Sequence, residues 1–278
     1  MKKSKTCKTI LKVFNVAGLC ILAAIFVLPF LWMILTSVKS AVETMKYPPV
    51  LIPSELHFEN FENAWTSGPF LRYSVNSCIV TLAVVFLQFL TTIPAAYAYA
   101  RCKFYGKNFA FGLTLATLMI PPQLIFVPLF LVFSKMKLIN SYASLILPFA
   151  ASAFGIFMIR QRFMQIPEEI IEAARLDNAS ELKILTHIMI PMARPTITTM
   201  LLLTFISRWN DYFWPMVMTT KDDVRTLSVG VAMLRETEAA ASWNTLMAGN
   251  VILVLPILII FVFAQRQIIQ AFVYNGEK

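Results

Sequence analysis

Charged residues are scarce in this sequence, at 14% of 278 residues, whereas 58% are hydrophobic and the mean hydropathy is +0.69. Soluble domains carry about 25% charged residues, so a water-soluble fold is excluded. The four cysteines and two histidines show neither metal-ligand spacing nor a disulfide framework. The sequence contains no G-x-x-x-x-G-K phosphate loop, and its apolar stretches place no nucleophile-base pair and no paired carboxylates together at one depth. We therefore predict no enzyme activity, no metal and no cofactor bound by this chain.

Long uncharged stretches are abundant instead. A helical bilayer crossing needs about 20 consecutive apolar residues, and five uncharged stretches reach that length. A sixth is equally long but is interrupted by Arg208 and Asp211. We predict an all-α polytopic membrane protein that forms a single transmembrane domain over residues 1–278. The six predicted transmembrane helices cover residues 13–38, 73–100, 108–134, 141–160, 195–219 and 243–265.

Basic residues predict the orientation of the chain. An even number of crossings places both termini on one side of the membrane. The two tails and the loops on their side hold fifteen Lys and Arg residues, and the opposite loops hold eight. The positive-inside rule therefore places both termini in the cytoplasm. This topology also explains the net charge of +9, so nucleic-acid binding is not needed to account for it.

Proline is concentrated in the third predicted crossing. The stretch MIPPQLIFVP, residues 119–128, contains three prolines. Proline removes a backbone donor and kinks membrane helices, and the freed carbonyl needs a neighbour or water. The pattern predicts a broken helix that lines a path through the protein.

The segment between the fourth and fifth predicted crossings, residues 161–195, is unusually polar. Pro167 is suited to the first position of a helix, and the acidic residues that follow complement the helix dipole. The helix should end near Asp177 and Asn178, because asparagine tolerates the left-handed conformation. A second helical stretch should begin near Ser180. It should be stopped by the prolines at 191 and 195.

Two interpretations of this short helix are open. An amphipathic helix lying on lipid should be rich in Lys and Arg. Counted together with Arg160 just before it, the segment instead balances five basic residues with five acidic ones, which favours a protein partner.

A family resemblance begins in the same segment. Glu-Ala-Ala, three residues, Gly, nine residues and Ile-x-Leu-Pro form the signature loop of ABC importer permeases. This sequence has Asn178 in place of the glycine and Ile190 in place of the leucine. The stretches LMIPPQLIFVPLF, WNDYFWPM and RTLSVGVAML also resemble the carbohydrate-uptake branch, specifically the shorter membrane subunit of maltose-type systems. The residues that we assign to coupling with an ATPase are Glu172, Ala173, Ala174, Asp177, Asn178, Ile188 and Pro191.

The resemblance implies a transport complex in a bacterial cytoplasmic membrane with the type I permease fold. A second homologous permease subunit would share the pore. Two separate ATPase subunits would bind ATP and Mg, and an extracellular binding protein would deliver a sugar. Alternating access would be driven through the loop around Glu172. An ion-coupled secondary transporter is the alternative from another class, and a permease for a polyol phosphate is the alternative substrate.

Two groups of residues are predicted outside the coupling loop. Arg208 and Asp211 are charges within a crossing, and such charges commonly mark a substrate path. They could equally form a local ion pair, because residues at i and i+3 share a helix face. The predicted substrate path comprises Trp209, Asn210, Asp211, Tyr212, Trp214, Gln123 and Asn244. By resemblance, residues 230–238 would form a loop that enters the binding protein, with an ordinary surface loop as the alternative. The residues assigned to this loop are Gly230, Val231, Ala232, Met233 and Leu234.

Overall fold

The computed structural model describes the backbone of residues 2–237 and 242–273, and side chains within 12–235 and 242–265. Glu238 and residues 274–278, which the sequence places in the binding-protein loop and the cytoplasmic tail, lie outside the described residues. All regular elements of the described part are helices. In chain order they are α1 Lys2–Ser37, α2 Ala41–Met45, α3 Glu59–Thr66, α4 Phe70–Arg101, α5 Lys107–Ala116, α6 Pro122–Lys135, α7 Tyr142–Ile146, α8 Ala153–Met164, α9 Glu168–Leu176, α10 Glu181–Ile184, α11 Ile190–Met192, α12 Arg194–Trp209, α13 Phe213–Met218, α14 Leu227–Thr237 and α15 Trp243–Val273.

Four helical segments of the described chain are long and apolar enough to cross a bilayer, namely Phe14–Ser37, Phe70–Arg101, Tyr142–Met164 and Trp243–Phe263. Two bent helix pairs raise the number to six if each pair is one crossing. The protein is therefore an all-helical, multi-pass membrane protein.

The third predicted crossing is broken, as its prolines indicate. Lys107–Met119 and Pro122–Lys135 meet at an angle of 100°. Ile120 lies between them with an extended backbone, because Pro121 disfavours a helical residue before it. The sequence prediction of a broken helix is confirmed.

The helix is interrupted within the fifth predicted crossing, residues 195–219. α12 ends at Trp209, and α13 begins only at Phe213. The carboxylate of Asp211 accepts a hydrogen bond from the backbone N–H of Trp214 at 3.3 Å. A short acidic side chain in this position starts a new helix rather than continuing the old one.

The chain divides into two compact units. The first unit comprises Met1–Phe70 and Val231–Leu255, and the second comprises Leu71–Gly230 and Pro256–Lys278.

Buried amides connect the helices of the first unit. The side-chain N–H₂ of Asn60, itself 3% exposed, donates to the carbonyls of Ser37 and Lys39 at 2.9 Å each. Asn244 donates to the side-chain oxygen of Asn60 at 2.8 Å. The end of α1, the start of α3 and the start of α15 are thus joined by polar contacts that replace water.

The second unit has a continuous apolar core made by α4, α8, α9 and α12. The ring of Tyr97 packs edge-on against Phe163, with 6.2 Å between centroids. Ile171 of the short helix α9 is completely buried in the same core. The polar segment after α8 is therefore anchored to the membrane helices by its own apolar side chain.

Candidate functional site

The polar segment contains the short helix that its sequence predicts. α9 carries Glu168 and Glu169 in its first turn and Arg175 in its last turn, which matches the direction of the helix dipole. Pro167 is the residue before the helix rather than its first residue, a shift of one position from the prediction.

The helix ends through a left-handed asparagine. Asn178 has φ of +54°, and the N–H of Ala179 donates to the carbonyl of Ala174 at 3.0 Å. This conformation costs a non-glycine residue little when the residue is asparagine. The prediction that the helix ends near Asp177 and Asn178 through a left-handed asparagine is confirmed.

The effect of a substitution at residue 178 should depend on how well the new residue tolerates a positive φ. We expect Asn178→Gly to preserve uptake and thermal stability. Asn178→Val should lower the stability of the chain by about 1–2 kcal/mol, because a β-branched residue is strained at positive φ. Thermal unfolding of the purified variants measures this difference, and Asp177→Val is the adjacent control with negative φ. Equal effects of valine at the two positions would contradict the assignment.

The two faces of α9 differ in exposure. Ile171 is buried, and Ala174 packs against the protein's own core. Glu172 and Ala173 are exposed, and Leu176 is 84% exposed. The small side chain at 174 therefore permits packing inside this chain, whereas the exposed face is Glu172, Ala173 and Leu176. The sequence analysis did not select Leu176, although its spacing of four from Glu172 places it on the same face.

An ion-pair network connects α9 to the end of α4. Arg101, with its side chain 9% exposed, binds the carboxylate of Glu168 and donates to the carbonyl of Phe163 at 2.8 Å. Arg175 donates to Glu181 at 3.1 Å and lies 3.9 Å from Glu168. The pKa of Arg175 is raised chiefly by its hydrogen bond with Glu181. A buried arginine with a paired carboxylate and a carbonyl acceptor connects the two helices rigidly.

The helix after α9 differs from its prediction. Ser180 caps it as expected, with its hydroxyl accepting from the N–H of Lys183. Pro191 does not stop it, because a π-helical turn over Leu185–Met189 precedes the proline and the helix continues to Met192. The chain then bends by 82° before α12. Ile188 is half-buried and Pro191 is exposed in this bent segment.

A cavity of about 330 Å³ lies among α4, α8 and α12 in the second unit. Its wall includes the amide of Gln88, the hydroxyl of Thr204 and the guanidinium of Arg208. Thr204 donates to Gln88 at 2.7 Å, and Gln88 donates to the carbonyl of Phe149 at 2.9 Å. The sequence analysis missed Gln88 and Thr204, because a single amide or hydroxyl in an apolar helix has no distinguishing pattern.

The charges at 208 and 211 form a local ion pair. Arg208 donates to Asp211 at 2.8 Å, and their side chains are 18% and 17% exposed. The guanidinium also lies 3.8 Å from the centre of the Phe149 ring, a cation–π contact. The ion-pair alternative of the sequence analysis is confirmed, and Arg208 also borders the cavity.

The other predicted path residues do not line this cavity. Trp209 stacks on Phe205 and is 3% exposed, and Trp214 is buried with its indole N–H donating to Ser144. These indoles stabilise packing rather than line the cavity. Asn210, Tyr212 and Gln123 are exposed, and none of them lines this cavity. Asn244 belongs to the first unit, where it bonds to Asn60.

Residues 230–237 of the predicted binding-protein loop belong to α14, and their contact with a binding protein stays a prediction. Gly230 is buried, Val231 is 3% exposed and Leu234 is 6% exposed. Their apolar side chains recur at helical spacing, so packing stabilises a helix here. Ala232 and Met233 are half-buried.

Gly230 offers a direct test of this packing. A β-carbon at residue 230 would lie 2.3 Å from Cδ2 of Tyr73, and the Tyr73 hydroxyl is held by Asp222 at 2.8 Å. We expect Gly230→Ala to destabilise the chain by about 1–3 kcal/mol through overpacking. Gly112→Ala is the matched control, since nothing lies within 4 Å of its β-carbon position. Thermal unfolding in detergent compares the two, and equal melting temperatures would refute the close contact.

No group of three or more His, Cys, Asp or Glu side chains with metal-binding geometry occurs within the described part of the chain.

Comparisons with known proteins agree with this architecture. Residues 89–273 match the family "Binding-protein-dependent transport system inner membrane component". The chain is 35% identical over 264 residues to the arabinooligosaccharide transport system permease protein AraQ of Halalkalibacterium halodurans, covering 94% of each chain. It is 30% identical over 275 residues to the sn-glycerol-3-phosphate transport system permease protein UgpE of Escherichia coli, covering 96% of this chain and 98% of that protein.

A solved structure shares the fold. A chain of a bacterial ABC transporter involved in the import of the acidic polysaccharide alginate superposes with a TM-score of 0.82 and 25% identity. The match covers 92% of this chain and 96% of that chain. The family match spans more than half of the sequence, and the relatives are matched over nearly their full length. This protein therefore belongs to the family of inner membrane components of binding-protein-dependent transport systems, as a membrane permease subunit and not an enzyme.

Proposed function

We propose that this chain is one of two permease subunits of an ATP-driven importer that takes up a sugar or oligosaccharide. The observation that carries the proposal is the position of α9. One face of this helix is fixed to the membrane helices by Ile171, and the opposite face exposes Leu176 and Glu172. An exposed apolar side chain on a polar helix is a typical protein contact.

The proposed topology has six crossings with both termini in the cytoplasm. The four long helices and the two bent pairs supply the required number. The excess of Lys and Arg in the tails and the adjoining loops supports the orientation. In this arrangement α9 lies on the cytoplasmic side, where two partner ATPase subunits would bind ATP and Mg.

Energy would reach the membrane through rigid contacts. An ATPase subunit that binds the exposed face of α9 would move Glu168 and Arg175 with it. Because Arg101 binds both Glu168 and backbone carbonyls at the end of α8, the ends of α4 and α8 would follow. The bend of 82° between Met192 and Arg194 is a joint at which α12 could change direction. Alternating access needs such a rigid element with a defined joint.

The cavity beside Arg208 supports a neutral substrate. The salt bridge with Asp211 leaves this part of the wall formally neutral. The amide of Gln88, the hydroxyl of Thr204 and the ring of Phe149 offer the hydrogen bonds and the flat apolar face that sugars bind. The relative AraQ, which is named for arabinooligosaccharides, is consistent with this choice. UgpE, named for sn-glycerol-3-phosphate, keeps a polyol phosphate as the alternative.

An extracellular sugar-binding protein would deliver the substrate. We assign its contact to Ala232 and Met233, which are half-buried in α14. The buried Gly230, Val231 and Leu234 would position that part of α14 by packing.

Uptake assays in whole cells test the energy source. Radiolabelled arabinooligosaccharide uptake is measured after an ionophore collapses the proton gradient while cellular ATP is maintained. We expect uptake to persist, because ATP hydrolysis by the partner subunits drives it. Loss of uptake under these conditions would favour the secondary transporter. A strain that lacks the extracellular binding protein is the control and should show no uptake in either condition.

A further inference from the structure

A second, smaller cavity occurs in the first unit. Its volume is about 150 Å³, and its wall includes Thr36, Lys39, Trp32, Trp243 and Glu43. This volume lies below the roughly 300 Å³ at which pockets for whole small molecules begin. The cavity therefore fits a single chemical group of a larger ligand.

Two polar groups on the wall are buried. The hydroxyl of Thr36, in a residue 6% exposed, has no hydrogen-bond partner in the structure. Lys39 is 2% exposed, and its ammonium donates to the carbonyl of Val50 at 2.5 Å and lies 4.6 Å from the centre of the Trp32 ring. An ammonium has three N–H donors. A buried hydroxyl without a partner costs free energy unless a ligand supplies one.

The carboxylate of Glu43, although on the cavity wall, is hydrogen-bonded to Ser54 and Ser40. Its oxygens accept hydrogen bonds from the backbone N–H and the hydroxyl of Ser54 and from the backbone N–H of Ser40. These bonds, those of Ser54 foremost, lower the pKa of Glu43 to about 2. Among the described residues, no carboxylate lies within 4.0 Å of the Lys39 ammonium. The positive charge of Lys39 is thus available to an anionic group.

The cavity lies where two apolar segments end. Thr36 is in the last turn of Phe14–Ser37, and Trp243 is the first residue of Trp243–Phe263, two of the segments that are apolar enough to cross a bilayer. Tryptophan is enriched at the level of the lipid headgroups. A basic residue at the end of a crossing also lies at this level.

We infer that this cavity binds the phosphate group of a membrane phospholipid. The phosphodiester oxygens accept hydrogen bonds from the Lys39 ammonium and the Thr36 hydroxyl. The indoles of Trp32 and Trp243 contact the glycerol backbone. The acyl chains continue into the bilayer beside α1, where Leu28 and Leu31 are exposed. A lipid supplies the oxyanion and the apolar tail together, which free phosphate does not.

Native mass spectrometry of the full-length chain, purified with its accompanying subunits, tests the inference. Delipidated protein is titrated with phosphatidylglycerol, and the bound lipids are counted. We expect Thr36→Val to weaken one binding event about tenfold, the usual effect of losing a hydrogen bond to a charged group. Lys39→Met should weaken it further. The controls are Lys46→Met and Thr66→Val, whose side chains are exposed and should leave the titration unchanged.

Thermal unfolding is a second measurement, because the melting temperature of Thr36→Val relative to the wild type should change in opposite directions depending on whether the lipid binds. If the lipid binds, phosphatidylglycerol raises the melting temperature of the wild type and fails to do so for Thr36→Val. If nothing binds, Thr36→Val removes an unpartnered hydroxyl and melts at or above the wild-type temperature at every lipid concentration, which would overturn the inference. Displacement of the lipid by millimolar inorganic phosphate would also overturn it, in favour of a free-anion site. The inference would also be overturned if phosphatidylglycerol bound at this site only while the extracellular binding protein is docked.

Discussion

Replacement of Leu176 with aspartate is expected to reduce uptake at least tenfold and to abolish the stimulation of ATP hydrolysis by the loaded binding protein. Leu176 is 84% exposed at the end of α9. Burying a leucine on a partner contributes about 1.5–3 kcal/mol. Aspartate would instead place an unpaired carboxylate in the apolar contact. A loss of about 2 kcal/mol corresponds to about a thirtyfold weaker contact with the ATPase subunit.

The measurement uses the importer reconstituted in proteoliposomes. Uptake and ATP hydrolysis are recorded together, and the ATPase subunits that co-purify with the chain are quantified. Tyr105→Asp is the matched control, because Tyr105 is fully exposed in a loop predicted on the same side of the membrane. Wild-type uptake by Leu176→Asp would show that α9 is not the contact.

Substitutions on the two faces of α9 should lower uptake for different reasons. Glu172→Lys reverses an exposed charge, so it should weaken coupling without lowering the stability of the chain. Ala174→Leu changes a residue that packs against the protein's own core. It should lower the melting temperature as well as uptake. A melting curve therefore separates a docking defect from a folding defect.

Local signals in the sequence predicted the short helix α9 well. Proline before the helix, acids in its first turn and asparagine at its end each act within a few residues. The broken third crossing was predictable for the same reason, since Pro121 acts on its immediate neighbour. These features depend little on the rest of the fold.

Contacts between distant residues could not be predicted. Arg101 binds Glu168, which is 67 positions away, and Gln88 bonds to Thr204 across 116 positions. A single sequence provides no pattern that pairs such residues. The joint between α4 and α9 and the wall of the cavity therefore became visible only in the structure.

The WNDYFWPM stretch shows how composition can be ambiguous. Aromatic and polar side chains suggest a sugar site, yet Trp209 and Trp214 are buried in packing contacts. Asp211 interrupts the helix of the predicted crossing, because its carboxylate accepts a hydrogen bond from the backbone N–H of Trp214. The signal was available, because a short acidic residue before an apolar run is a common helix start. The prediction of the fifth crossing followed the length of the apolar stretch instead of this helix-start signal at Asp211.

The ion pair beside the cavity supports the second large prediction. Arg208→Gln and Asp211→Asn are each expected to lower uptake at least tenfold, and the double variant should recover most of it. Removing one partner of a buried pair costs about 3–5 kcal/mol, because the remaining charge is left without its counterion. The double variant leaves no such charge. Asparagine also keeps an oxygen that can accept the N–H of Trp214.

A double-mutant cycle measures this coupling. The amount of folded chain and the uptake of a labelled neutral oligosaccharide are recorded for the four proteins. Asp223→Asn is the control, because its ion pair with Arg72 is more than half exposed and such pairs contribute at most about 1 kcal/mol. Additive losses in the double variant would show that the two charges act independently.

The same double variant distinguishes the two substrate classes. A neutral sugar needs hydrogen-bond donors and an apolar face, and Gln88, Thr204 and Phe149 still supply them. A phosphate ester would need the Arg208 guanidinium as its charged donor, so its uptake should stay low in the double variant. Recovery of oligosaccharide uptake therefore supports a neutral substrate. Loss of glycerol-3-phosphate uptake in a variant that is fully folded would instead assign Arg208 to phosphate binding.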